Sequence, residues 1–514
     1  NGTNVEKSNL EQAMSFNSSD AVADTIYMGP STYTDQLASP GFSPGSLEAT
    51  GTDDLKLIGS GTDKSFITSA GTENIILMNL GNRKTEMSDI TIVIPASFPD
   101  FPLGGGGALQ AKNSTFDHVD IKTLNDQSNG ATSLSGNTVW KNSHIYGSPG
   151  AEIWQGISPG SSSGKLEIVN TTFDDTQWAI QVDGANVPVV VKRRRINNPQ
   201  NYGLILSQGA LVVMENSVIT GAGTHAIQVD TDNAPGESDI DLQVRSSTIV
   251  AGSKPDAAPF RVSIKNAVGS KSADVSVTNS IVRGFTNTWD MVTPAGPGIG
   301  HGSLTFTRSD FNPAGTPVDS PVVNFSDPSN INVDPLFTSA TDFHLLPSSP
   351  AIDAGNPADI GITEDYDGTA RPLDGNGDGS RIIDMGAFEA AEVPTCANTP
   401  SLCPPPPPVE DKTAPKISKV KFRHGKGPKK GGKLKLTLSE PARVKVTFKP
   451  VPARKKGQKK RKTLKLAKKG KAGINTISIK KRKLRPGKYR LKISATDAAG
   501  NKSKTIVRKV KVKG

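Results

Sequence analysis

Two acids and three consecutive arginines are the side chains of this chain best suited to acid–base chemistry. Asp174 and Asp175 follow the segment NTTF, and Arg193, Arg194 and Arg195 belong to the next repeat of the same kind. Cleavage of a glycosidic bond needs a carboxyl group that transfers a proton, and a basic side chain can bind or deprotonate an acidic sugar. These five residues are the catalytic candidates. The alternative is a surface cluster of ion pairs without catalytic function.

A second candidate site is the hexapeptide DGNGDG, in which Asp374, Asn376 and Asp378 alternate with glycines. Oxygen ligands at alternate positions, closed by a glycine, match the start of an EF-hand calcium loop. The bidentate acid that should end such a loop is absent, because Met385 stands there and Asp384 precedes it. The pattern predicts a calcium site built from Asp384 and the three residues of the hexapeptide. A solvated turn without a metal is the alternative.

The elements that position these residues follow from a short recurring phrase, of which NSTF and NSVI are examples. The phrase begins at Asn113, Asn142, Asn170, Arg193, Asn216, Ser246, Asn279 and Arg308. Successive starts are 29, 28, 23, 23, 30, 33 and 29 residues apart. A repeat of this length predicts a solenoid in which each step along the chain is one coil.

The residues before each phrase alternate between apolar and polar side chains. Leu166 and Ile168 precede Asn170, and Val212 and Met214 precede Asn216. Alternation with a period of two indicates half-buried strands. Two or three strands per coil cannot bury an apolar face alone, so the coils are expected to stack in parallel. The asparagines that start the phrases are expected to form a hydrogen-bonded ladder between coils.

Alignment of the phrases predicts which side chains of successive coils lie above one another. The two predicted columns are Asp117, Tyr146, Asp174 and Asn197, and beside them His118, Gly147, Asp175 and Asn198. The three arginines then belong to the coil next to Asp174 and Asp175. A mixed acidic and basic patch is expected on this side of the solenoid.

The region up to residue 330 resembles right-handed parallel β-helices of the pectin-lyase-like kind. Its beginning, SNLEQAMSF, resembles the CSLREA region of exported bacterial β-helix proteins, in which a short helix closes the first coil. Residues 331–391 contain DPLF, FHLLPSSPAIDAG and IIDMGAFE, and resemble the choice-of-anchor type Q segment that ends many such proteins. These resemblances imply a bacterial protein that is secreted or held at the cell surface.

A linker at residues 392–412 separates the solenoid from a C-terminal module. It contains Cys396, Cys403 and five consecutive prolines. A disulfide between the two cysteines would stiffen this junction in an oxidising compartment, and two unpaired thiols are the alternative. Residues 413–514 alternate apolar and basic side chains over about seven strands, which predicts a β-sandwich. The segment ATDAAGNKS resembles the closing hairpin of bacterial immunoglobulin-like modules.

Charge divides the chain into two opposite parts. From Asp411 onward there are 38 lysines and arginines and three acids, a net charge of +35, whereas the rest has a net charge of −24. A basic module of this kind is expected to bind a polysaccharide or an anionic cell-wall polymer. The predicted binding residues are Lys455, Lys456, Lys459, Lys460, Arg461 and Lys462. A merely solubilising surface, or docking on the acidic solenoid, is the alternative.

Specific recognition of nucleic acid is not expected, because Phe422, Phe448 and Tyr489 are the only aromatic residues of the module and bases would have few partners for stacking. The sequence therefore predicts an all-β, monomeric protein: a right-handed parallel β-helix solenoid followed by an immunoglobulin-like β-sandwich. The predicted function is non-enzymatic display or adhesion at the cell surface. A polysaccharide lyase or glycoside hydrolase acting on acidic glycans is the alternative.

Overall fold

A computed structural model describes residues 10–14, 23–34, 47–48, 53–68, 76–81, 83–96, 107–124, 132–147, 153–159, 164–183, 188–231, 239–264, 272–286, 289–292, 301–313, 322–359, 361–394, 411–424, 432–452, 461–480 and 484–513. The chain divides into two compact units, Asn1–Cys403 and Pro404–Gly514. In the described residues of both units, strands are the main regular structure, as predicted. Across the described ranges, no helix is long and apolar enough to cross a membrane.

The first unit contains one short helix and thirty-one described strands. They are α1 (Leu10–Met14), β1 (Asp24–Tyr27), β2 (Ser31–Thr34), β3 (Leu47–Glu48), β4 (Leu55–Ile58), β5 (Ser65–Thr68), β6 (Ile76–Asn79), β7 (Thr85–Ile94), β8 (Gly107–Lys112), β9 (Thr115–Thr123), β10 (Thr132–Ser135), β11 (Thr138–Lys141), β12 (His144–Gly147), β13 (Ile153–Pro159), β14 (Leu166–Val169), β15 (Thr172–Asp174), β16 (Thr176–Asp183), β17 (Pro188–Lys192), β18 (Arg195–Asn197), β19 (Tyr202–Ser207), β20 (Leu211–Glu215), β21 (Val218–Thr220), β22 (His225–Thr231), β23 (Ile240–Arg245), β24 (Thr248–Val250), β25 (Ala258–Ile264), β26 (Ser272–Thr278), β27 (Ile281–Arg283), β28 (Asp290–Val292), β29 (His301–Thr307), β30 (Asp310–Phe311) and β31 (Val322–Asn324).

These strands form three parallel ladders that run along the solenoid. The first ladder is β1, β4, β7, β9, β11, β14, β17, β20, β23, β26, β29 and β31. The second is β2, β5, β7, β9, β12, β15, β18, β21, β24, β27 and β30, so β7 and β9 span both ladders. The third is β3, β6, β8, β10, β13, β16, β19, β22, β25 and β28. From β1 to β28 every coil takes part in all three ladders, and β29, β30 and β31 extend the first two, which confirms the predicted parallel β-helix.

Apolar side chains at alternate strand positions fill the interior of the solenoid. In the first ladder one such buried column is Leu166, Val189, Val212, Leu242, Val275 and Leu304. Neighbouring strands are about 4.8 Å apart, so each side chain packs on its equivalents in the adjacent coils. At the N-terminal end, Leu10 and Met14 of α1 are buried in the same core, in keeping with the predicted capping helix.

A single residue with a positive φ makes the bend between the first two ladders in the nine successive coils from β7 to β30. The residues of this stack, with φ between 44° and 60°, are Asp89, His118, Asn142, Asn170, Arg193, Asn216, Ser246, Asn279 and Arg308. Asparagine adopts this left-handed conformation more readily than most residues, which explains why the recurring phrase starts with it. The predicted asparagine ladder is short. Asn170 Nδ2 donates to Asn142 Oδ1 at 2.7 Å, and Asn142 Nδ2 donates to Asp117 Oδ1 at 2.8 Å.

The first of the eight predicted phrase positions was wrong. Asp117 pairs with Lys141, and Lys122 pairs with Tyr146, so the bend of that coil lies at His118 and not at Asn113. Asn113 makes an earlier turn, and its backbone N–H donates to the carbonyl of Ser135. The physical reason is that both turns need a residue that tolerates a positive φ, and NSTF fits either one. The rest of the predicted column, Tyr146, Asp174 and Asn197, is confirmed.

Residues 331–394, here called the strap, lie along the side of the solenoid. The resemblance identified most of this segment as the end of the helix, yet in the described residues it contacts bend residues of four coils. Arg193 Nη1 is 2.9 Å from Glu364 Oε2, and Arg371 Nη1 donates to Asn216 Oδ1 at 2.9 Å. The backbone N–H of Gly386 donates to the carbonyl of Asn279, and Arg308 donates to the carbonyl of Gly355. The strap therefore covers the outside of the bend between the first two ladders.

The second unit is a sandwich of two antiparallel sheets, as predicted. Its strands are β32 (Ile417–His424), β33 (Gly432–Leu438), β34 (Ala442–Pro450), β35 (Leu464–Gly470), β36 (Gly473–Ile479), β37 (Gly487–Thr496) and β38 (Ile506–Val512). One sheet has the order β32-β33-β36 and the other β35-β34-β37-β38. Buried side chains such as Leu434, Val446, Phe448 and Leu491 form one core between them. The segment ATDAAGNKS joins β37 to β38, which confirms the predicted hairpin.

Candidate functional site

An open groove of about 740 Å³ lies between the second ladder and the strap. The solenoid side is formed by Asp174, Arg195 and Asn197 near one end and by Thr220 and Val250 farther along. The remaining lining residues come from turns and from the strap: Asn198, Gly252, Ser253, Gly284, Phe337, Ser339, Ala340, Thr341 and Phe343. The volume lies within the range of about 300–1,000 Å³ that is usual for small-molecule sites.

Strand register brings the solenoid residues of the groove into one line. Tyr146 pairs with Asp174, Asp174 with Asn197, Asn197 with Thr220, and Thr220 with Val250. The residues that precede them in the strands, such as Phe173 and Ile196, are buried in the core. Since successive side chains of a strand point to opposite faces, this column faces outward.

A chain of hydrogen bonds fixes the polar side chains at one end of the groove. Asp174 Oδ1 accepts a bond from Asn197 Nδ2 at 2.6 Å, and Asn197 Oδ1 accepts one from Arg195 Nε at 2.9 Å. Arg195 Nη2 donates to the carbonyl of Thr341 at 2.8 Å, and its guanidinium lies 5.7 Å from the centre of the Phe343 ring. The strap thus holds Arg195 in place while the guanidinium still lines the groove.

Asp174 is held as a carboxylate. Burial favours its neutral form, but hydrogen bonds from His144 and Asn197 outweigh burial and keep the pKa of Asp174 below its ordinary value. The His144 Nε2 atom is 2.6 Å from Asp174 Oδ2, and the His144 ring stacks on Tyr146 with centroids 4.2 Å apart. An acid whose pKa is lowered is a poor proton donor at neutral pH.

Asp175 has a different environment. It is exposed, has a φ of 54°, and is not among the residues that line the groove. Partial desolvation of its carboxyl group and the nearby charge of Asp174 raise the pKa of Asp175. The two predicted catalytic acids are therefore not presented together to the groove.

The three predicted catalytic arginines are separated by the fold. Arg193 forms an ion pair with Glu364 of the strap. Arg194 is fully buried, and among the described residues no partner hydrogen-bonds to its Nε, Nη1 or Nη2 atoms. Only Arg195 lines the groove, where it is linked to Asp174 through Asn197. Of the five candidates, Asp174 and Arg195 meet in one site.

The number of carboxyl groups in the groove bears on whether it could hydrolyse a glycosidic bond. Asp174 is the one carboxylate among its described lining residues. Glycosidases of either stereochemical type need two carboxyl groups, roughly 5–9.5 Å apart.

Sequence reasoning missed Phe337, Thr341 and Phe343, because the strap has no repeat that would reveal where it lies. His144 precedes Tyr146 in the same strand, so the column alignment could have revealed it.

The predicted calcium residues form a turn whose oxygens bind backbone N–H groups. Asp374 is buried, and its Oδ1 and Oδ2 accept hydrogen bonds from Gly377 at 2.8 Å and Gly379 at 3.0 Å. Asn376 Oδ1 accepts a bond from the N–H of Asp378, and Asp378 Oδ1 accepts one from that of Ser380. These bonds stabilise the turn without an ion. A calcium site at these residues stays a prediction.

Asp384 belongs to a buried cluster of charges in the strap. Its two oxygens accept bonds from the backbone N–H groups of Asp353 and Ala390. Burial, together with the negative charge of Glu389, raises the pKa of Asp384 to about 7. Arg371 Nε lies 2.9 Å from Glu389 Oε2, and both side chains are buried. This cluster fastens the strap.

The remaining predicted residues are only partly described. Six of them lie outside the described residues: Lys455, Lys456, Lys459, Lys460, Cys396 and Cys403. Polyanion binding by these lysines and the disulfide between the cysteines therefore stay predictions. Arg461 Nη2 donates to the carbonyl of Val451 at 2.8 Å, and its guanidinium lies 5.5 Å from the centre of the Tyr489 ring. Lys462 is exposed.

Comparison with known proteins assigns no family. No family model matches the sequence, and no curated protein matches it. Among solved structures, the catalytic domain of a GH87 α-1,3-glucanase variant in complex with tetrasaccharides aligns with 66% of this chain and 70% of its own length. The sequence identity is 10% and the TM-score 0.34. A likeness this loose carries no argument, so the fold rests on strand pairing and any function rests on the groove itself.

Proposed function

We propose that this protein is an exported, surface-associated β-helix protein that binds a polysaccharide in its groove without cleaving it. The observation that carries the proposal is the hydrogen-bonded chain Asp174–Asn197–Arg195, held between the solenoid and Thr341. Export and surface association are supported by the resemblance of the strap to choice-of-anchor segments.

The chemistry of the groove suits a sugar chain. Carboxylate, amide and hydroxyl groups of Asp174, Asn197, Asn198 and Thr220 can exchange hydrogen bonds with sugar hydroxyls. Phe337 and Val250 offer apolar surface for the C–H faces of a ring. Because the polar side chains are already fixed by the protein, binding would cost little side-chain ordering.

A substitution that fills the groove tests the proposal. Val250→Trp places a large ring among the lining residues, and Val190→Trp places the same ring at a half-buried, outward position of the first ladder. Titration with a panel of neutral oligosaccharides, which the basic C-terminal module does not attract by charge, should give saturable binding to the unaltered protein. Val250→Trp should weaken it by at least about tenfold, or about 1.4 kcal/mol, and Val190→Trp by less than about twofold. Equal binding by Val250→Trp would refute the proposed site.

Catalysis by a lyase or hydrolase is the competing proposal, and product release separates the two. Incubation with pectin, alginate and cell-wall polymers should release neither reducing ends nor unsaturated sugars. If products do appear, and if Asp174→Asn abolishes them, the protein is an enzyme and the binding proposal is wrong.

A further inference from the structure

One face of the C-terminal sandwich carries a dense array of positive charge. The outward positions of the four-stranded sheet follow from its register, because Val444, Val446 and Phe448 point into the core and their neighbours in β34 point out. The basic residues at outward positions are Arg443, Lys445, Lys449, Lys465, Lys469, Lys488, Arg490, Lys492, Lys509 and Lys511. The other outward positions are Thr447, Ala467, Ser494, Thr496 and Val507. This surface, here called the cationic face, contains no acid at these positions.

Several of these charges lie directly opposite one another on neighbouring strands. Lys449 pairs with Arg490, and Arg490 pairs with Lys509. Lys488 pairs with Lys511. Like charges at directly opposed positions destabilise a sheet. A face that served only folding or solubility would place acids or neutral residues between them.

The module has acids, but they lie elsewhere. Asp411, Glu440 and Asp497 are its three acids, and their carboxylate oxygens lie within 4.8 Å of one another. None of them is on a strand of the cationic face at an outward position. In the described part of the module, the ten basic side chains of the face have no ion-pair partner. Their charge is therefore available to an external anion.

The shape and composition of the face favour an acidic polysaccharide. The face has no aromatic side chain on which a base could stack, which is what single-stranded nucleic acids need. Lys449, Arg490 and Lys509 form a row across three strands that are about 4.8 Å apart. This spacing is close to the advance of one sugar residue in an extended polysaccharide. In a polymer with one carboxylate per sugar, each carboxylate would thus lie beside one basic side chain of the row.

We infer that the cationic face binds a linear acidic polysaccharide laid across the strands. This surface is distinct from the groove, and it does not depend on the loop residues that the sequence had singled out. Attraction at the face would hold the protein to an anionic matrix, with an affinity that falls as salt rises.

Two triple variants of the full chain test the inference. Lys449→Gln, Arg490→Gln and Lys509→Gln remove one row of the face. Lys421→Gln, Arg423→Gln and Lys435→Gln remove the same charge from exposed positions of the three-stranded sheet. Retention on immobilised polygalacturonate is measured across a salt series, with neutral dextran and duplex DNA as the other matrices. The face variant should bind polygalacturonate about tenfold more weakly, and its slope of log affinity against log salt should fall by roughly two.

The control triple should change retention by less than about twofold. Equal losses in both triples would show that net charge alone acts, and would overturn the inference. Tighter retention on DNA than on polygalacturonate at the same salt would assign the face to nucleic acid instead. The thermal midpoint of the face variant should rise, because repulsion is removed, whereas a role in folding would lower it. Retention should be unchanged in Val250→Trp, so a failure here is separable from a failure of the groove proposal.

Discussion

Replacement of Arg194 by methionine is predicted to stabilise the β-helix. Arg194 is fully buried and follows the bend residue of its coil, a position that Ser217, Ser247 and Ser280 occupy in the next three coils. The backbone N–H of each of these serines donates to the Oγ atom of the serine in the next coil. Arg194 has no hydroxyl group and takes part in this ladder only through its backbone N–H, which donates to Ser217 Oγ at 3.3 Å. Its guanidinium has no described partner. Burial lowers the pKa of Arg194 well below its ordinary value, and an interaction with Tyr366 opposes this.

The magnitude follows from the cost of an unpaired charge in the interior. Replacement of a buried ion pair by apolar side chains of similar volume is often neutral or stabilises a protein by about 1–4 kcal/mol, and a buried charge without a partner is costlier than a paired one. Methionine is unbranched and of similar length, so Arg194→Met should raise the free energy of unfolding by that amount. Arg194→Ser would extend the serine ladder but leave a cavity. It should therefore be less stable than Arg194→Met by about 1–3 kcal/mol.

Urea unfolding followed by tryptophan fluorescence measures this change. All four tryptophans precede residue 404, so the signal reports the β-helix unit alone. Arg381→Met, an exposed arginine paired with Glu392, is the control and should change stability by less than about 1 kcal/mol. A lower midpoint for Arg194→Met would refute the reasoning, because it would mean that the guanidinium has a stabilising partner.

Two further predictions concern the bend and the strap. Asn170 has a φ of 51°, a conformation that a β-branched residue adopts only with strain, so Asn170→Val should lower the free energy of unfolding by about 1–2 kcal/mol. Asn170→Gly should change it little, and urea unfolding measures both. Equal losses in the two variants would mean that the backbone conformation is not the cause. The pKa of Asp384 is raised from 3.8 to about 7, so between these values the folded state binds more protons than the unfolded state and stability falls as pH rises. Asp384→Asn should flatten the pH dependence of stability in this window, and an unchanged profile would contradict the assignment.

The solenoid could be predicted because its physics is local and repeated. Alternation gives strands, and a bend residue with a positive φ in nine successive coils leaves an asparagine-rich phrase in the sequence. The predicted bend position was wrong in the coil where the bend residue is His118. Histidine is not a typical turn residue, whereas the nearby NSTF matches the recurring phrase. The column Tyr146, Asp174 and Asn197 was predicted correctly because, in these later coils, the recurring phrase does begin at the bend residue.

The strap and the groove could not be derived in this way. Contacts such as Arg193 with Glu364 join residues 171 positions apart, and no period in the sequence links them. Asp174 and Arg195 were recognised by residue type and by their place in adjacent coils. Asp175, Arg193 and Arg194 are separated from them because each side chain at a bend points in a different direction. That direction is set by the backbone conformation of single residues.

The most direct test of the account is a calorimetric titration of the full chain with the best-bound oligosaccharide, followed by mass spectrometry of the recovered sugar. With a neutral oligosaccharide, which the cationic face does not attract, the account predicts one groove site per chain, loss of the heat in Val250→Trp but not in Val190→Trp, and an oligosaccharide of unchanged mass. Shortened or unsaturated sugar, or full heat in Val250→Trp, would contradict it.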